Sequence, residues 1–155
     1  MPETWFIGPQ GENADLFQRL ISWSIDHNIA FRRDYMPDDP PMYRDHRLPA
    51  VQASEAFITA QLDEMLGYLR RSVPLASFRN QSHVYWDQTL PAIVGYIAAL
   101  LYNQNNVSAE ASPATILFEI EVGDHLCRML GYPLPDPEAL ARGAIKPWGP
   151  ITCDG

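Results

Sequence analysis

The sequence predicts a mainly α fold on two observations: apolar residues recur at helical spacing in several windows, and helix-starting or helix-stopping residues flank them. With 155 residues, 46% of them hydrophobic, the chain can bury the core of one ordinary domain, so one globular unit is the starting expectation.

Over residues 13–29, Leu16, Leu20, Ile21 and Trp23 share a helical face, and Asp15 stands where the helix dipole favours an anion. Next comes RRDYMPDDPPMYRDHRLPA, in which Pro37, Pro40, Pro41 and Pro49 lack amide donors and push their predecessors toward extended conformations. This reads as a rigid, irregular connector. A second helix is expected over 54–71, with Phe57, Ile58, Leu62, Leu66 and Leu69 on one side, ending before Pro74. Residues 74–90 follow neither a 3.6 nor a 2 period. They gather His83, Tyr85 and Trp86 beside Arg79 and Asp87, which is what a pocket wall needs.

Pro91 suits the first turn of a third helix through Leu101, broken by NQNNVSAEA. The apolar run at 92–102 is about half of the roughly 20 residues that a membrane span needs, so it is expected to be a buried helix. Ser112 reads as the N-cap of a fourth helix, with Pro113 after it. Ile116, Ile120, Gly123, Cys127 and Leu130 form its buried stripe, and Gly131 stops it. A single helical turn is expected at 137–142, and residues 148–152 could enter a strand.

Eleven basic against nineteen acidic residues give a net charge of -8, which disfavours nucleic acid and anionic membrane surfaces as partners. The opening MPETWFIGPQ lacks a basic segment followed by an apolar core, so a cytoplasmic location with reduced Cys127 and Cys153 is expected. The four histidines show no metal-ligand spacing, and no metal site is expected. His125 reads as a partly exposed helical residue and Cys127 as core. No GxGxxG, P-loop or GxSxG occurs.

The segments FIGPQGENADLF, FRRDYMPDDP, SHVYWDQTLPA, LLYNQNNVSAEASPATILFEIEVGDHLCRMLGY and WGPITCDG follow one another as in the group II pyridoxal-phosphate-dependent amino-acid decarboxylases, which the chain resembles. Within that group it looks most like the tyrosine decarboxylases. The resemblance implies an N-terminal helical, dimer-interlocking segment with a pocket loop over 1–90. Residues 91–155 would then be the start of the large, pyridoxal-phosphate-binding α/β domain of a type I fold.

It also implies that His83, Val84, Tyr85 and Trp86 line the substrate pocket, and that Asn105 and Val107 reach toward the partner subunit's pocket in a homodimer. Asn103, Asn105 and Asn106 are also good turn residues in their own right. The family pattern has His-Met where His83 and Val84 stand, and polar residues at the next two positions. The bulky Tyr85 and Trp86 here leave the amino acid open. Thr152, Cys153, Asp154 and Gly155 would form half of a phosphate site.

Such chemistry needs a lysine to hold the cofactor, an acidic partner for the pyridine nitrogen and a wall over the ring. Lys146 is the one lysine; it precedes the phosphate segment and is expected to lie on the surface. No catalytic residue is therefore assigned within the chain. The expected function is that of an N-terminal part of a decarboxylase acting on an amino acid, aromatic by resemblance, with the rest of the polypeptide or a second subunit as partner. The alternatives are a truncated, non-catalytic paralogue serving as a dimerisation or regulatory module, and a precursor cut after Gly155 whose pieces stay together.

Overall fold

The computed structural model describes residues 2–42, 44–81 and 87–146. Among them are five α-helices, a 3-10 turn at Pro2–Trp5 and no strand, so the mainly α expectation holds. The strand expected from Trp148 lies outside the described residues. Two compact units divide the chain, Met1–Leu101 and Tyr102–Gly155.

In the first unit the opening is tied together before any α-helix begins. Asn13 donates through Nδ2 to the carbonyls of Glu3 at 2.9 Å and Phe6 at 2.8 Å, and its amide donates to the Ile7 carbonyl at 2.9 Å. Gly8 has φ +90, and a Cβ added there would collide with the Glu12 carboxylate, which accepts from the Gln10 amide at 3.0 Å. Only glycine meets both demands.

Helix α1 (Ala14–Tyr35) follows and continues past residue 29, where the apolar pattern fades. Arg32 and Arg33 suit the negative end of its dipole, and the Phe31 and Tyr35 rings, one turn apart, lie 5.3 Å from each other. The connector shrinks to residues 36–48, because Pro49 begins α2 (Pro49–Leu69) instead of ending the irregular stretch. At the first helical position proline's missing amide costs nothing and its fixed φ is already helical. Arg44 and His46 both reach Glu55 on that helix, at 3.4 and 3.3 Å.

No residue of α2 is buried. Phe57 and Ile58 are 65% and 66% exposed, and Leu62, Leu66 and Leu69 are exposed as well.

Helix α3 (Leu90–Tyr102) has Pro91 in its first turn, as the sequence requires, and the Thr89 hydroxyl accepts from the Ala92 amide at 3.4 Å. The apolar run does form a helix, but it is not the buried helix expected: Tyr96 and Leu100 are exposed, and only Leu90, 1% exposed, is fully covered. An apolar run fixes a helix but supplies no facing surface to cover it. At the last turn of α3, α1 supplies polar groups. Asn28, 5% exposed, donates to the Leu101 carbonyl at 3.3 Å and accepts from Arg32 Nε at 2.7 Å. That carbonyl belongs to the last turn of α3, where no helical amide can reach it.

The second unit holds α4 (Thr115–Met129) and α5 (Pro137–Ala141). Both end alike. After α4 the Gly131 amide donates to the Arg128 carbonyl and the Tyr132 amide to the Cys127 carbonyl. After α5 the Gly143 amide donates to Leu140 and the Ala144 amide to Ala139. Gly131 and Gly143 have φ +81 and +90, the left-handed closure that satisfies open carbonyls. Helix α5 starts on Asp136, whose carboxylate accepts from the Ala139 amide at 2.6 Å.

Gly123 and Cys127 are buried on α4, as its stripe requires. Leu130 is not part of that stripe. It is the C-cap, with ψ 0, where the chain has left the helical path, and its side chain is exposed.

Candidate functional site: the loop between the third and fourth helices

Of the residues that the sequence singles out for a pocket, Asn105 and Val107 are described, and both lie on the loop that leaves α3. Asn103 takes φ +48, a left-handed conformation that asparagine tolerates better than most residues, and turns the chain. Two residues on, the Asn105 side-chain carbonyl accepts from the Val107 amide at 3.1 Å, an Asx turn. Both residues are exposed, Val107 by 79%. The Asn105 side chain keeps its amide nitrogen as a donor group.

Beneath this turn stands a polar network centred on Asn106. Its Nδ2 donates to Glu119 Oε2 at 2.7 Å, while its Oδ1 accepts from Ser112 Oγ at 2.7 Å and Thr115 Oγ1 at 2.5 Å. The Ser112 and Thr115 hydroxyls also contact one another. A carboxylate only accepts, so the amide nitrogen must face Glu119 and the orientation of Asn106 is fixed by chemistry. Ser112 is fully buried.

Ser112 therefore is not the N-cap of α4; Ala114 occupies that position, without a side-chain bond. The serine hydroxyl donates to Asn106 Oδ1 and accepts from none of the first amides of the helix. Ser108 completes the loop by receiving the Ala111 amide on its hydroxyl at 3.3 Å and the Ser112 amide on its carbonyl at 3.1 Å. The Glu110 carboxyl is held below its ordinary range by its own backbone amide and then by the Ser108 hydroxyl.

His83, Val84, Tyr85 and Trp86 lie outside the described residues, as do Thr152, Cys153, Asp154 and Gly155. Lys146, expected on the surface, is half-buried. Its Nζ meets Asp124 Oδ1 at 2.7 Å and Oδ2 at 2.9 Å, with the two side chains 31% and 24% exposed. The turn at Gly143 brings the chain back along α4, which places the lysine opposite that carboxylate. His125 is exposed and 4.0 Å from Glu121, and Cys127 is buried, both as expected.

The Asn106 network and the Asp124–Lys146 pair are what sequence reasoning missed. A signal for the first existed in the asparagine pair at 105–106 followed by two hydroxyl residues at the start of a helix. Nothing in the sequence pairs Asp124 with Lys146, 22 positions away. Among the described residues no three His, Cys, Asp or Glu side chains gather as a metal site would, and no helix is long and apolar enough to cross a membrane.

No protein-family profile matches the chain. Three characterised proteins do. An L-tyrosine decarboxylase of Levilactobacillus brevis is 34% identical over 154 residues, one of Enterococcus faecium 32% over 158, and one of Enterococcus faecalis 29% over 154. Each alignment covers 97% of this chain but only 23% of the relative, at its N-terminal end.

Proposed function

We propose, on the premise that this chain is tyrosine-decarboxylase-like along 97% of its length, that it is the N-terminal portion of a pyridoxal-phosphate-dependent amino-acid decarboxylase. The whole protein releases carbon dioxide from an aromatic amino acid and leaves the amine. The observation that carries the reading is the collinear match to the same 23% of three tyrosine decarboxylases. The proposed partners are the amino acid, the rest of the polypeptide and a second, identical subunit, in the cytoplasm.

In this reading residues 1–90 interlock the dimer and residues 91–155 open the cofactor-binding domain. His83, Val84, Tyr85 and Trp86 line the pocket; Asn105 offers a donor and Val107 an apolar wall to the bound amino acid. Thr152, Cys153, Asp154 and Gly155 contribute to holding the cofactor phosphate. Bound pyridoxal phosphate supplies the electron sink for the pair left when carbon dioxide departs. Lys146 does not fit as its anchor, because it precedes the phosphate segment and its Nζ is engaged by both carboxylate oxygens of Asp124. The anchoring lysine is assigned to the remainder of the protein.

The test is to incubate the natural protein that carries this sequence with pyridoxal phosphate and each aromatic L-amino acid, and to measure amine and carbon dioxide. Equimolar release of both from at least one of them is expected. No release from any of them would contradict the reading and favour a non-catalytic dimerisation or regulatory module.

A further inference from the structure

We infer that Asn106, held by Ser112, Thr115 and Glu119, is a positioning residue for substrate binding: it fixes the turn that presents Asn105 and Val107. The inference rests on the reading of those two as pocket residues, and it assigns a role to four others that touch no substrate.

The geometry argues for it in three steps. Asn105 and Val107 are joined by one local hydrogen bond and are both exposed, so the bond between them sets their mutual arrangement but not where the turn points. The residue between them is Asn106, and its side-chain bonds to Glu119, Ser112 and Thr115 all run to α4 or to the segment entering it. One acceptor edge takes two hydroxyls, one donor edge meets a carboxylate, and rotating the amide would break every bond at once. The central hydroxyl, that of Ser112, is fully buried, where hydrogen bonds are least replaceable by water.

A network that served only to start the helix would put its oxygens on the first free amides of α4. This one leaves the N-cap without a side-chain bond and spends its donors and acceptors on Asn106 instead.

The polarity of the donor edge gives a specific test, made in the full-length protein. Asn106→Asp keeps the acceptors for Ser112 and Thr115 but sets a carboxylate against Glu119. Adding Glu119→Gln puts an amide donor back across the gap. Glu119→Gln alone retains an acceptor for Asn106 and serves as the control.

Asn106→Asp is expected to raise KM for the amino acid by roughly ten- to a hundredfold, the range that angstrom-scale misplacement produces, with kcat within about twofold. The double variant is expected to recover KM to within about threefold of the parent, and Glu119→Gln to stay near it. Hydrogen exchange at the Val107 amide is read in the same proteins: slow in the parent and the double variant, faster in Asn106→Asp.

Unchanged KM in Asn106→Asp, or a raised KM that the double variant does not recover, overturns the inference. So does equal exchange in all four proteins. A parent protein that releases no amine would instead overturn the functional reading, and the exchange pattern alone would then decide whether Asn106 positions the turn.

Discussion

In the loop entering α4, Asn105, Asn106, Ser108 and Ser112 all find hydrogen-bond partners within 13 residues, the longest step being from Asn106 to Glu119. Along α2, Phe57, Ile58, Leu62, Leu66 and Leu69 lie on one side and none is covered. Polar bonding is directional and short-ranged, so a local segment can complete it. Apolar burial needs a facing surface about as large as the face itself, and no such surface is met here. Exposed apolar faces of this extent mark interaction surfaces in soluble proteins. The loop is thus finished by its own sequence, and the helix is finished only by something that packs against it.

The largest effect is expected at α2. Replacing Phe57 and Leu62 by alanine is expected to destabilise the full-length protein by about 2–5 kcal/mol per site, the usual result where the side chain is covered. In the isolated 155-residue chain the same pair is expected to change the unfolding free energy, read from urea titration of the helical signal, by less than about 0.5 kcal/mol, as at an exposed position. Equal effects in both would remove the distinction.

The loop gives the converse expectation. Ser112→Ala removes only the oxygen, stripping a fully buried hydroxyl from Asn106 and Thr115, and about 1–3 kcal/mol is expected to be lost in the isolated chain and the full-length protein alike. Denaturant titration of both checks it. Gly131→Ala forces a side chain into φ +81 and is expected to cost about 1–2 kcal/mol, read as earlier melting of α4.

The smallest effect lies at the surface of α1. A hydrogen bond from Arg19 holds the Asp15 carboxyl below its ordinary value of 3.8, with the Leu16 amide contributing next. A carboxyl depressed in the folded state stabilises above its unfolded pKa and loses that contribution as pH falls through the folded one. Arg19→Ala is therefore expected to move the Asp15 titration, followed by NMR, up toward 3.8, with no change in stability near neutral pH beyond experimental error.

Much of the helical plan was legible because its signals are local. Pro91 at the start of α3, Gly131 at the end of α4 and the turn at 137–142 follow from residue chemistry alone. The errors also have local causes. Pro49 can end a connector or begin a helix, and its neighbours do not decide between them. Arg32 and Arg33 carry no apolar pattern, yet they extend α1 through the dipole and, at Arg32, through Asn28. Burial was the least legible property: the stripe of α2 and the apolar run of α3 predict a covered face, but periodicity does not say what covers it. At the candidate site the sequence points to Asn105 and Val107 by resemblance. The hydrogen bonds that aim them depend on which of several adjacent polar residues turns inward, and only the three-dimensional path settles that.

Intact mass of the natural protein after borohydride reduction in the presence of pyridoxal phosphate separates a decarboxylase from a non-catalytic module. A mass several times 17.5 kDa, with one pyridoxyl group on a lysine other than Lys146, is the result expected of a decarboxylase whose N-terminal portion is this chain. A 17.5 kDa species carrying no specific adduct would contradict it.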